Sequence, residues 1–267
     1  MSAMVGGAFG DAVAARSGSA AVTRPTRATT QATTTGTPTR TTGPTKTAPA
    51  NGVTRAVRRS ALVLGVGGLL MAVGGALHPH ETSGTLDESL LALLGSPAWL
   101  PAHAMLIAGM LLVLTGLVLL RHHAGFPRQV RPWLTGTIVA WAIAAPEYVP
   151  HLLAGGEHDA LASGAATPMV HTHLALSTFT TPLVGISTAL LAVAVARAAG
   201  TWPARILAGL GVVGGLAFGA AAPLLAVTGD PVVTNLFAAQ TLVDVWIVGT
   251  AIRLALGARS LRTHHIR

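Results

Sequence analysis

The chain has no cysteine, a single tyrosine and few acids: 9 Asp and Glu in 267 residues, against 17 Lys and Arg. Without cysteine there is no disulfide, no thiolate metal site, no c-type haem attachment and no cysteine-ligated iron–sulfur cluster, which removes much redox chemistry. Aromatic residues make up 4% of the chain, which disfavours an aromatic-rich β-barrel, and charged residues 10%, well under the roughly one quarter of an ordinary soluble domain. What the chain does have is Ala, Leu, Val and Gly. Hydrophobic residues reach 51% and the mean hydropathy is +0.60, a composition suited to long, closely packed helices in a bilayer.

Residues 1–57 form a low-complexity run of Thr, Ala, Gly, Pro and Arg with almost no apolar periodicity. Such a segment cannot bury enough surface to offset its ordering entropy, so a disordered tail is expected. It has the Arg/Thr richness of a transit peptide but not the amphipathic helix, and it lacks the apolar stretch of a secretory signal. A start codon assigned upstream of the true one would leave the same signature. From Arg58 onward the pattern changes to apolar stretches of about 20 residues, the length that spans a ~30 Å hydrocarbon core. Six are predicted, at 59–78, 100–120, 132–150, 169–197, 204–228 and 235–256, the third interrupted at its end by Pro146, Glu147 and Pro150. The expected fold is all-α, a polytopic membrane bundle of about six transmembrane helices over 58–258, followed by a short basic tail at 259–267.

The charges are segregated along this pattern. Every Lys and Arg falls in the tail, at the entrance to the first span (Arg55, Arg58, Arg59), between spans 2 and 3 (Arg121, Arg128, Arg131), between spans 4 and 5 (Arg197, Arg205) or around the C-terminal exit. The three alternate loops hold Glu81, Asp87, Glu88, Glu157, Asp159 and Asp230 instead. Because cytoplasmic loops retain positive charge, both termini are predicted in the cytoplasm of a cell inner (plasma) membrane. Topology thereby accounts for the net charge of +8 and the pI near 11.7, and the lipid bilayer, not nucleic acid, is the expected partner.

In the fifth span Gly211, Gly215 and Gly219 share one stripe, the pattern of a close helix crossing, and a surface by which other membrane proteins can pack. Pro182 in the fourth removes a backbone hydrogen bond that the hydroxyls of Ser177, Thr178, Thr180 and Thr181 can offset, so a kink is expected.

Seven of the eleven histidines lie on the predicted outer side: His78, His80, His103, His151, His158, His171 and His173. In His78-Pro79-His80-Glu81 the proline forces an extended backbone that puts the two imidazoles on one side. Glu147 and His151 are four apart, one face of a helix that persists through Pro150. Thr167-Pro168 reads as N-cap and first turn of the fourth span. His171 and His173 then point roughly 200° apart, and His173, on the stripe of Ser177 and Thr181, is the inward one. His103, one turn into the second span, is its natural partner. Neutral imidazole ligates zinc, copper, iron and haem iron, which makes His103 and His173 the leading metal or b-type haem candidates, with His78, His80, Glu81, Glu147 and His151 as further ones. The competing account is interfacial histidines with no common focus. No HExxH or HxxxH pattern is present to name an enzyme.

Asp244 falls mid-span with no cation at its depth, and Gln240 lies one turn outward on the same face; a proton or ion relay and a structural hydrogen bond both fit. Three functions stay open at this point. One is a metal or haem site serving metal handling or electron transfer. Another is a small proton-coupled transporter or permease using Asp244, with a polar path from His173 through Ser177 to Asp244 and on to the cytoplasm. The third is a membrane scaffold without cofactor.

Overall fold

The computed structural model describes residues 50–82 and 84–263, with side chains from 54 to 257. These lie within one compact unit, Thr47–Arg267. Of the tail expected to be disordered, residues 1–49 fall outside the described residues, while 50–57 belong to the first helix. Among the described residues all regular structure is helical: α1 Ala50–Leu77, α2 Leu86–Leu94, α3 Trp99–His122, α4 Arg131–Ala144, α5 Tyr148–Ala154, α6 His158–Ala162, α7 Pro168–Ala199, α8 Trp202–Thr228 and α9 Gln240–Thr263, joined by short 3-10 turns. The fold is an all-α membrane bundle.

Among the described residues, five helical segments are long and apolar enough to cross a membrane: those of α1, α3, α7 and α8, and the 3-10 turn Pro231–Ala239 taken together with α9. The third expected span is divided. Its main helix, α4, has 14 residues and rises about 21 Å, short of a ~30 Å core. Pro146 and Pro150 donate no backbone hydrogen bond, so the chain passes through a 3-10 turn, Ala145–Glu147, before α5 carries it to the end of the bundle. Large apolar side chains face outward from the bundle, among them Phe179 at 76% and Val227 at 86% exposure, as a lipid-facing surface requires.

Close backbone approach sets the frame. A Cβ added at Gly67 would stand 2.8 Å from Gly109 O, and one at Gly116 would stand 2.7 Å from Leu64 Cα. Rising residue numbers on α1 meet falling numbers on α3, so the two are antiparallel. A Cβ at Gly185 of α7 would run into Gly215 O of α8, one at Gly211 would stand 2.9 Å from Ala192 Cβ and one at Gly219 3.4 Å from Pro182 Cα, so the predicted glycine stripe lies in an antiparallel α7/α8 crossing. Gly65 against Ala251 and Gly68 against Ile247 make α1 and α9 antiparallel too. The start of α1 and the end of α9 therefore lie at one end of the bundle. Arg55, Arg58, Arg59, Arg121, Arg131, Arg197, Arg205 and Arg253 occupy helix ends there. Helix α7 continues as one helix through Pro182; Thr181 Oγ1 donates to Ser177 O at 2.9 Å.

At the opposite end α2 braces the first connection. Thr85 and Glu88 form a reciprocal capping box, and Ser89 Oγ donates to Glu81 O at 2.7 Å, tying α2 to the chain that leaves α1. Thr167, the predicted cap of α7, makes no capping bond. Glu157 does so instead, accepting from Met169 N at 3.0 Å and Val170 N at 2.9 Å. A carboxylate satisfies two orphan amides and lies at the positive end of the helix dipole, an advantage a hydroxyl cannot match.

Candidate metal centre

The acidic end of the bundle gathers histidines from four segments. His78 follows the last turn of α1 and its amide still bonds Gly74 O at 2.9 Å; Pro79 then turns the chain out of the helix. His103 sits in the second turn of α3, fully buried. Glu147 is in the 3-10 turn before α5, His151 in α5 and His173 in the second turn of α7. Among the described residues, two sets of three bring their ligand atoms within 4.8 Å of one another: His78, His103 and His151, and Glu147, His151 and His173. His151 belongs to both.

The hydrogen bonds fix which nitrogens are available. His103 Nδ1 donates to Trp99 O at 2.6 Å, and His78 Nδ1 donates to Pro79 O at 2.8 Å. A carbonyl only accepts, so each ring carries its proton on Nδ1 and presents the Nε2 lone pair. His103 Nε2 is buried with no hydrogen-bond partner, an orphan that costs roughly 1–3 kcal/mol unless something takes its lone pair. The three rings are mutually tilted, 58° between His78 and His103, 64° between His78 and His151 and 69° between His103 and His151, with centroids 4.8, 6.1 and 4.4 Å apart. A tetrahedral zinc at ~2.1 Å from each nitrogen needs donors about 3.4 Å apart, and one ligand atom from each of these three residues lies within 4.8 Å of the other two. Burial lowers the pKa of His78 from its ordinary value, against a smaller opposite effect of the Pro79 carbonyl, which keeps the imidazole neutral and ready to ligate.

The second set behaves differently. Glu147 Oε1 accepts from His173 Nδ1, and its separation from His151 Nδ1 is 3.7 Å, too long for a hydrogen bond. His151 and His173 stack with centroids 3.8 Å apart and planes 20° apart. Lone pairs of stacked rings run side by side, so these two imidazoles do not aim at one ion without rotating. Glu147 and His173 form instead a carboxylate–histidine pair packed on His151.

The predicted central pair, His103 and His173, is thus divided between the two sets, and His151 links them. His80 is exposed, 5.8 Å from His78 by ring centroids, and in neither set. Glu81 accepts from Thr82 N at 2.8 Å and also lies outside both. His171 is exposed, and His158 pairs with Asp159 at 2.9 Å. Sequence reasoning missed Trp99, whose indole lies 4.0 Å from the His103 ring by centroids and donates from Nε1 to Leu152 O at 3.2 Å. Gly155 makes room for it, since a Cβ there would stand 2.4 Å from the indole. The available signal was Trp99 four residues before His103, the i,i+4 spacing of one helical face.

Asp244 is buried in α9 and accepts from Gln240 Nε2 at 2.9 Å on Oδ1, while Oδ2 has no partner. Ser177, on the expected path from His173, donates from Oγ to Leu174 O of its own helix at 2.9 Å. No family model matches the chain, and no match was found among curated proteins or solved structures.

Proposed function

We propose that this is a multi-pass protein of the plasma membrane, with its arginine-rich end in the cytoplasm, that binds a divalent transition-metal ion at the opposite end through His78, His103 and His151. The observation that carries the reading is the gathering of three tilted imidazoles, with ligand atoms within 4.8 Å of one another, one of which, His103, keeps a buried, unpartnered Nε2. Three neutral imidazoles leave a fourth position open and suit Zn, Cu, Fe or Ni, whereas Mg and Ca take oxygen ligands. Glu147 and His173 stand beside this position as the pair that orients His151 and offers a carboxylate to an incoming ligand.

A compact ion fits this site better than a b-type haem. Bis-histidine haem needs two imidazoles facing each other across a macrocycle, while here three donors crowd within 4.8 Å and the cavity behind Glu147 is about 30 Å³. The functions this supports are metal handling and, for copper or iron, one-electron transfer. Elemental analysis of protein purified from its native membrane tests the reading. About one equivalent of metal is expected, lost in His103→Ala. Substoichiometric metal in the wild type together with no change in the variant overturns it.

A further inference from the structure

At the arginine end, opposite the histidines, the bundle holds a cavity of about 200 Å³ walled by the segment between α3 and α4 and by α7, α8 and α9. Phe126, Val130, Val195, Leu207, Trp246 and Leu254 supply most of its lining. The volume is far above the ~10–15 Å³ that one water needs, and an apolar cavity of ~150 Å³ stays dry and takes up apolar guests. Past Trp246 and Thr250, which line both spaces, the interior narrows to a gap of about 10 Å³.

The polar groups of the cavity are ordered in depth along one face of α9. Arg253, exposed, lies at the mouth; Thr250 is a turn further in, about 4.5 Å along the helix, and Trp246 about 10.5 Å. Thr250 is 4% exposed, yet its hydroxyl makes no hydrogen bond, whereas those of Thr115, Thr135, Thr137, Thr181 and Thr228 each donate to the carbonyl four residues back. A guest that brings an acceptor to this depth satisfies it.

The mouth is cationic. Arg253 Nη2 donates to Thr201 Oγ1 at 3.1 Å, and Thr201 makes no capping bond to α8, whose first helical bond is Arg205 N to Thr201 O. The amides of that first turn, which includes Ala204 on the cavity wall, keep their pull on an anion. Arg128, Arg131, Arg197 and Arg205 stand in the same segments, and residues 121–146, 195–229 and 245–257 contain no Asp or Glu to neutralise them.

We propose that this cavity seats the head end of one anionic phospholipid. Its phosphate lies at Arg253 and the first turn of α8, an ester carbonyl accepts from the Thr250 hydroxyl, and the upper carbons of one acyl chain pack on Trp246 and Leu207; the rest of the lipid stays in the bilayer. Phosphate, ester and chain follow one another in a glycerophospholipid in the order in which arginine, hydroxyl and apolar wall follow one another here. A zwitterionic lipid offers the same ester and chain, but its ammonium meets arginines and no acid.

Native mass spectrometry of the full chain, released from nanodiscs with equal dioleoylphosphatidylglycerol and dioleoylphosphatidylcholine, tests this. One retained phosphatidylglycerol per chain is expected, favoured about tenfold over phosphatidylcholine. Arg253→Gln should lower that retention about tenfold, the loss of one charge-assisted hydrogen bond, whereas Arg121→Gln, whose guanidinium bonds Thr135 outside the cavity lining, should leave it unchanged. Thr250→Val should weaken retention of the ester lipid and not of its ether-linked analogue, and Ala198→Leu, which fills the cavity, should weaken both. Equal retention of the two lipids, equal losses in Arg253→Gln and Arg121→Gln, or displacement of the lipid by millimolar inorganic phosphate, the mark of a free-phosphate site, overturns the proposal. If Thr250→Val or Ala198→Leu fails to fold, the lipid preference and the two arginine variants decide.

Discussion

Among the described residues, two pairs of imidazoles have ring centroids 4.8 Å apart: His78 with His103 and His122 with His123. The distance is the same and the physics is not. His122 and His123 are chain neighbours at the end of α3 beside Arg121, with His122 exposed and His123 half-buried, so local geometry alone brings them together. His78 and His103 come from different helices, and their proximity has to be maintained by the glycine-lined α1/α3 crossing, with His103 buried completely. Proximity that the fold must maintain, and that strands a nitrogen without a partner, is the informative kind.

The sharpest way to break this contrast is to delete one imidazole from each pair. His103→Ala should lower metal affinity by more than ~100-fold, since even partners behind a ligand are worth 10–100-fold, whereas His122→Ala should leave it within about twofold, by titration with a competing chelator. Acid comes next. Metal binding requires neutral imidazole, so the bound ion should persist at neutral pH and leave as pH falls below the ordinary histidine value of ~6.5. Folding of the metal-free protein should follow the same direction. His78 binds its proton less readily when folded than when unfolded, so stability is full above ~6.5 and declines as pH falls toward its lowered native value, readable as thermal denaturation against pH.

Glu147→Gln should cost about 10–100-fold in affinity through loss of the charged acceptor for His173, and Asp159→Asn, whose partner His158 lies outside both sets, should cost nothing measurable. Trp99→Phe should act on stability and not on the metal. It removes the indole bond to Leu152 O, about 1 kcal/mol of stability, and keeps the aromatic face on His103, so metal should still bind at one equivalent with a slightly lowered midpoint.

The apolar runs and the arginine pattern made the bundle legible, because hydrocarbon thickness and charge retention act on the chain locally. The glycines were legible only in α8, where four-residue spacing is conspicuous; Gly67, Gly109 and Gly116, which set the α1/α3 crossing, are spread over two helices and show no pattern until these meet. The same limit governed the site. Glu147 and His151, four apart, could be paired from spacing, but no spacing relates His151 to His78 and His103. The capping box Thr85–Glu88 was readable from Thr-Leu-Asp-Glu before an apolar run and was overlooked. The cap from Glu157 to α7 was not readable, since it spans 12 and 13 residues and competes with a nearer hydroxyl.

The three donors sit at positions 78, 103 and 151, so successive ones are 25 and 48 residues apart along the chain. An ion held by all three closes two long loops at once, acting as a removable cross-link between the end of α1, the start of α3 and the broken third segment. Its grip therefore feeds back on the whole bundle: at a free metal concentration 100 times the Kd the folded state gains about 2.7 kcal/mol, and the end of the molecule with the fewest continuous helices becomes the one most firmly tied.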